Sequence, residues 1–246
     1  MTRRYTLAGT ISALLLVAFA ALFFQPRVSA AGEGKITGTI KLDGQAPHQK
    51  PIDMSKEPSC AAQHADKPIT TETVVIGPNS GLANVVVYIS EGLSSAAASE
   101  VASQPLAIDQ KGCQYLPHVV AIDVNQHMKV VNDDQTSHNI HPLPKNNHEW
   151  NKSQPSGTAP FDVTWETEEV AIPVKCNIHP WMRGYIVVVK GPYGVSNDSG
   201  SFTVPNVPPG NYTITAWQET YGTQTQKVTV AGGKPTTADF TFKAKP

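Results

Sequence analysis

The chain has 246 residues, 40% of them hydrophobic and 16% charged, with a formal net charge of −1. That is enough chain for one large or two small cores, and a balanced charge without a basic run excludes an electrostatic binder of nucleic acid. Its 20 prolines and 18 glycines are spread along the whole length, which suits short strands joined by turns rather than long helices.

Residues 1–30 read as an export signal. Arg3 and Arg4 give a positive start, Leu7 to Phe24 an apolar run, and Val28-Ser29-Ala30 a small-residue cleavage pattern. The alternative is an uncleaved anchor, the one way in which this chain would meet a membrane, because the run is near the lower length limit for a span. Thr2-Arg3-Arg4-Tyr5-Thr6-Leu7 also resembles a twin-arginine signal, with Thr6 where an aromatic or apolar residue is usual. Cleavage would remove three arginines and no acid, leaving 16 basic and 20 acidic residues. The expected location is periplasmic or extracellular, where disulfides persist. Cys60, Cys113 and Cys176 are three thiols, so at least one has a task other than pairing within the chain.

Beyond the signal, apolar and polar residues alternate in Ile36–Leu42, which runs into the turn pair Asp43-Gly44. Asn84–Ile89, Val119–Val124, Met128–Val131, Val170–Val174 and Tyr185–Val189 are continuous β-branched runs that predict buried strands. Ser201–Val204, Tyr212–Trp217, Lys227–Val230 and Asp239–Phe242 predict four more. Leu93–Val101 is the one helix-friendly stretch, and Asn146–Pro160 has the composition of a loop. The fold class is all-β, built from one or two sandwiches.

Cys176-Asn177-Ile178-His179-Pro180-Trp181-Met182-Arg183-Gly184 carries the chemistry. A thiolate, an imidazole and a thioether recur three residues apart on a connection between two strands, where a curled loop can turn all three toward one centre. That soft set with a second imidazole suits copper. Zinc more often recruits another Cys or a carboxylate, and iron–sulfur or c-type haem needs cysteine spacings absent here. The second imidazole is assigned to His138 in Ser137-His138-Asn139-Ile140-His141. His141 is an odd number of positions away and faces the other side of an extended strand. His64, His118, His127, His141 and His148 are read as ordinary polar histidines, with a second metal site as the alternative.

The loop "CNIHPWMRGYIVVV" and the segment "SHNIH" resemble the amicyanin and plastocyanin class of cupredoxins over about residues 104–190. Ser137 stands where that class has Pro, and 145–160 are a longer loop than amicyanin would need. The resemblance implies a Greek-key sandwich with one type 1 copper. His138, Cys176 and His179 would be in-plane ligands, Met182 axial, and Asn139 a hydrogen-bonded brace to the Cys loop. It also implies that His179 is the ligand nearest solvent and the exit for electrons. The expected function is one-electron transfer, not enzymic catalysis, with a redox protein such as a c-type cytochrome or a dehydrogenase as partner. The alternatives are copper storage or delivery, and a structural, partner-binding module. Cys60 and Cys113 can then pair with each other or remain free.

"GSFTV" followed by "VPPGNYTI" near the C-terminus resembles the carboxypeptidase regulatory-like, transthyretin-like sandwich. The opening strands of that family are matched instead by "KITGTIKLDGQAP" and "LANVVVYIS" near the start. Two arrangements stay open. Either residues 33–95 and 191–246 are two halves of one small sandwich with the copper domain inserted between them, or the chain holds consecutive domains or one continuous sheet.

Overall fold

The computed structural model describes residues 32–95 and 106–244. The signal segment lies outside them, as does most of the helix-friendly stretch, whose described part, residues 93–95, is not helical. The strands in chain order begin with β1 (Gly34–Asp43), β2 (Val86–Glu91), β3 (Leu106–Lys111), β4 (Gln114–Leu116), β5 (Val119–Asp123) and β6 (Met128–Asn132). Then follow β7 (His138–Pro142), β8 (Lys152–Gln154), β9 (Phe161–Val163), β10 (Glu169–Lys175) and β11 (Arg183–Val189). The last six are β12 (Tyr193–Val195), β13 (Ser201–Val207), β14 (Gly210–Gln218), β15 (Gly222–Val230), β16 (Pro235–Thr237) and β17 (Phe240–Lys243). A short helix, α1 (Pro58–Gln63), lies between β1 and β2. No described helix is long and apolar enough to cross a membrane.

The strands form four sheets. Strands from the two ends of the chain make β13-β1-β16, with β17 also on β1, and β12-β2-β14-β15. The middle of the chain makes β5-β11-β10-β7-β8 and β4-β3-β6-β9. Alternation decides the first pair. In β1 the side chains of Ile36, Ile40 and Leu42 are buried while Lys35, Lys41 and Asp43 are exposed, and in β17 Phe240 and Phe242 face in. With Val87, Ile89, Val204 and Ile214 they form one core. A second core holds Ile108, Val120, Ile122, Met128, Ile140, Trp165, Ile172, Val174, Ile186 and Val188.

The continuous runs in β2, β5 and β11 have a physical reason: both faces of these strands are buried. Val120, Ile122, Ile186 and Val188 point into the second core. Their neighbours Val119, Ala121, Val187 and Val189 meet Val86, Tyr88 and Trp217 in a third core that joins the two sandwiches.

The loop expected at Asn146–Pro160 contains β8, which pairs His138 with Gln154. The stretch is too polar to signal a strand. It is held by hydrogen bonds made elsewhere, as when Asn132 Nδ2 donates to the Gln154 carbonyl at 2.7 Å.

Candidate metal centre

His138 opens β7, which lies between β10 and β8. Cys176 follows β10 directly and Met182 precedes β11, and these two strands are antiparallel with Lys175 opposite Arg183. The ligand loop is therefore a tight connection at one end of the sandwich. It closes on itself: Cys176 N–H donates to Met182 O at 3.0 Å, and Met182 N–H to His179 O at 3.0 Å. Gly184 at the foot of β11 allows close packing, since a Cβ there would meet His118 O at 2.7 Å.

The sulfur of Cys176 and one ring nitrogen each from His138 and His179 lie within 4.8 Å of one another. His138 Nδ1 is 2.9 Å from His179 Nδ1, and Cys176 Sγ is 3.8 Å from His179 Nδ1. All three residues are buried, at 0%, 3% and 1% exposure for His138, Cys176 and His179. Met182 is buried beside Cys176 in the second core.

Asn139 ties the two segments together. Its Oδ1 accepts from Asn177 N–H at 2.7 Å and from Cys176 Sγ at 3.3 Å, while its Nδ2 donates to Asn151 Oδ1 at 2.7 Å.

These contacts set the charge of the donors. Burial pushes the Cys176 thiol up, but the His138 ring and backbone hydrogen bonds hold it below its ordinary range. Burial pushes His138 down, but Asp134 and Cys176 raise it above the usual imidazole value. His179 is lowered by burial and by the neighbouring His138 charge. The site thus favours a thiolate and a neutral His179, as a metal requires, whereas His138 holds its proton more tightly.

The expected exit for electrons at His179 is covered in the structure, its side chain being 1% exposed. Residues 51–70 cover it, the ends of this segment being pinned where Ile52 N–H donates to Ile69 O at 2.9 Å. Its helix α1 carries Cys60, joined to Cys113 by a disulfide of 2.02 Å. His179 Nε2 faces Cys60 Sγ at 4.0 Å and Glu57 Oε2 at 3.9 Å. The ring centroid of Trp181 is 5.2 Å from that of His179, and its Nε1–H donates to Cys113 O at 3.1 Å. A cover contributed by a segment more than a hundred residues away leaves no trace in the ligand loop itself.

The remaining histidines are dispersed. His141 pairs with Glu149 at 2.8 Å, His118 with Glu219, and His64 with Gly112 O at 2.8 Å. Among the described residues both groupings that could hold a metal are built on His138. The second adds Cys113 and Asp134, but the Cys113 sulfur is consumed by the disulfide.

Sequence reasoning missed Asp134, which reads as one more polar residue in the turn Asn132-Asp133-Asp134. Burial would raise its carboxyl, but hydrogen bonds from His138 and from the Cys113 and Gly112 N–H groups hold it below the ordinary range. Its spacing of four from His138 was the only available signal.

One thiolate, two imidazoles and a nearby thioether fit copper by softness and by number. The residues of the site therefore suit the group that the ligand loop implies.

Comparison with known proteins gives matches to two kinds of domain. The family model of the carboxypeptidase regulatory-like domain matches residues 186–243. No curated protein matches the chain. Among solved structures, a purple cupredoxin from Nitrosopumilus maritimus is 23% identical, with a TM-score of 0.29, over 34% of this chain and 98% of that one. A reduced amicyanin variant is 22% identical, with a TM-score of 0.31, over 42% of this chain and 97% of that one. A copper-containing nitrite reductase from Thermus scotoductus SA-01 is 20% identical, with a TM-score of 0.33, over 41% of this chain and 27% of that longer protein. The chain is thus similar to the carboxypeptidase regulatory-like domain in its C-terminal part and, over about two-fifths of its length, to cupredoxins.

Proposed function

We propose that the chain is an exported copper protein that passes single electrons between redox proteins, with His138, Cys176, His179 and Met182 as ligands. The observation that carries this reading is the convergence of two imidazole nitrogens and one thiol sulfur in a buried site. Copper, when bound, supplies the one-electron chemistry. The protein's own part is to hold the donors still and keep water out. Asn139 clamps the loop segment to β7, and the strand ends fix the loop at both sides. Rigid donors lower the rearrangement that accompanies a change of oxidation state.

A carrier rather than an enzyme is favoured because every candidate in-plane donor is buried. The Cys60–Cys113 disulfide supports an oxidising compartment. The shared core of β1, β2, β13, β14, β15 and β17 supports the reading that the copper sandwich is inserted between two halves of a second one.

The test is the visible and electron-paramagnetic-resonance spectrum of the full chain with one equivalent of Cu(II). An intense thiolate-to-copper band with narrow hyperfine splitting is expected, and Cys176→Ser should abolish both. A pale, ordinary Cu(II) spectrum would remove the mechanism and shift the assignment to a partner-binding module.

A further inference from the structure

The two imidazoles of the site are held very differently. His138 Nε2 lies 2.7 Å from Asp134 Oδ2, with Asp134 only 4% exposed. On the far side of His179, by contrast, the nearest polar atoms are at 3.9 and 4.0 Å, beyond a normal nitrogen–oxygen hydrogen bond in the first case.

Asp134 is itself fixed. Its Oδ1 accepts from Gly112 N–H at 2.8 Å and its Oδ2 from Cys113 N–H at 2.7 Å. Both donors belong to the two-residue turn between β3 and β4, where Lys111 pairs with Gln114. Gly112 and Cys113 have φ of 62° and 52°. Such a primed turn points successive N–H groups to one side, here toward the carboxylate. The backbone of Asp134 is held as well, its N–H donating to Asn132 Oδ1 at 3.1 Å.

Two backbone donors favour the ionised Asp134 carboxylate, and an ionised carboxylate can only accept. His138 Nε2 must therefore carry a proton whatever the charge of the ring, and Nδ1 is left as the atom that faces Cys176 and His179. We propose that Asp134 is the positioning residue of the metal centre: it fixes the Nε2–H form and the ring angle of His138, so that this imidazole is a preset ligand. His179 lacks such a brace and adjusts around it. The inference rests on His138 being a ligand, as proposed above. Carboxylate partners of ligating histidines raise ligand basicity, and their loss typically weakens metal binding by about 10–100-fold.

The test separates this from the copper reading by starting with the metal-free full chain. Nitrogen-15 NMR of wild type should show His138 protonated at Nε2, with that proton slow to exchange. A Nδ1–H ring in wild type would overturn the proposal without any variant, and so covers the case in which Asp134→Asn fails to fold. In Asp134→Asn the protected Nε2–H signal should be lost, Cu(II) affinity should fall by about 10–100-fold, and the reduction potential should move upward because a negative charge near the copper has gone. A variant that melts earlier but keeps the His138 tautomer, Cu(II) affinity and potential of wild type would reduce Asp134 to a fold-stabilising residue and overturn the assignment. Absence of the thiolate-to-copper band in wild type would instead count against the copper reading, leaving the NMR result on His138 to stand by itself.

Discussion

Met182 is the proposed donor whose role is hardest to derive from contacts alone. Its backbone closes the ligand loop through Cys176 and His179, and its side chain is 1% exposed in the second core. A thioether is a weak donor, so its effect on copper is on the potential more than on whether the metal binds. Met182→Leu conserves volume and should cost less than about 1.5 kcal/mol of stability. The expected outcome is a copper protein that still shows its visible band but has a raised reduction potential. Unchanged potential and spectrum in voltammetry and absorption would rule out the axial role. Cys176 is the opposite case. It accepts His179 N–H at 3.5 Å, and the His138 ring and the backbone N–H groups around the sulfur favour the thiolate. At this scale the sequence was informative, because Cys176, His179 and Met182 are close together in one loop. Asp134 was not legible, since a carboxylate beside a turn has many uses and only burial distinguishes them.

The element that most changes the character of the site is the covering segment, residues 51–70. Six-residue α1 is far too short to be helical by itself in water, and its place depends on Cys60. Gln63 and His64 add contacts to Cys113 and Gly112. The disulfide spans 53 residues of sequence, and closing a loop of that size stabilises a fold by about 2–4 kcal/mol. Reduction by a dithiol adds two electrons and two protons to the bridge and releases Cys60 from Cys113. With copper bound as Cu(I), reduction should then speed its removal by a chelator such as bathocuproine, followed by absorbance. A removal rate that is the same before and after reduction would mean that the cover does not control access. The segment has no apolar periodicity, so Cys60 was the one sign in the sequence that it mattered.

Across the whole molecule the two sandwiches are held by the third core. Val119, Ala121, Val187 and Val189 of the middle strands bury their outer face on Val86, Tyr88 and Trp217. Each fully buried valine-sized side chain is worth about 1.5–3 kcal/mol, so exposing this face is costly. Residues 104–190 produced alone would expose it and would also lose Cys60 and the covering segment. The expected fragment is aggregated or partly folded, with poorly dispersed NMR signals and weakened copper binding. A soluble fragment with the spectrum of the full chain would show that the second sandwich is dispensable for the site.

The strands with clean alternation, β1, β13 and β17, were legible because one face is wet and the other dry. β2, β5 and β11 were equally legible as buried runs, although which face met which core was not. By itself the sequence determined the all-β class, the strand-to-strand connection that carries Cys176, His179 and Met182, and the opposite facing of His138 and His141, because each depends on local spacing or on the period of a strand. Only the tertiary structure decided that Asp134 grips His138, that α1 covers His179 and that the two chain ends share one core. Those facts join residues far apart in the chain, and local pattern contains no information about which distant groups will meet.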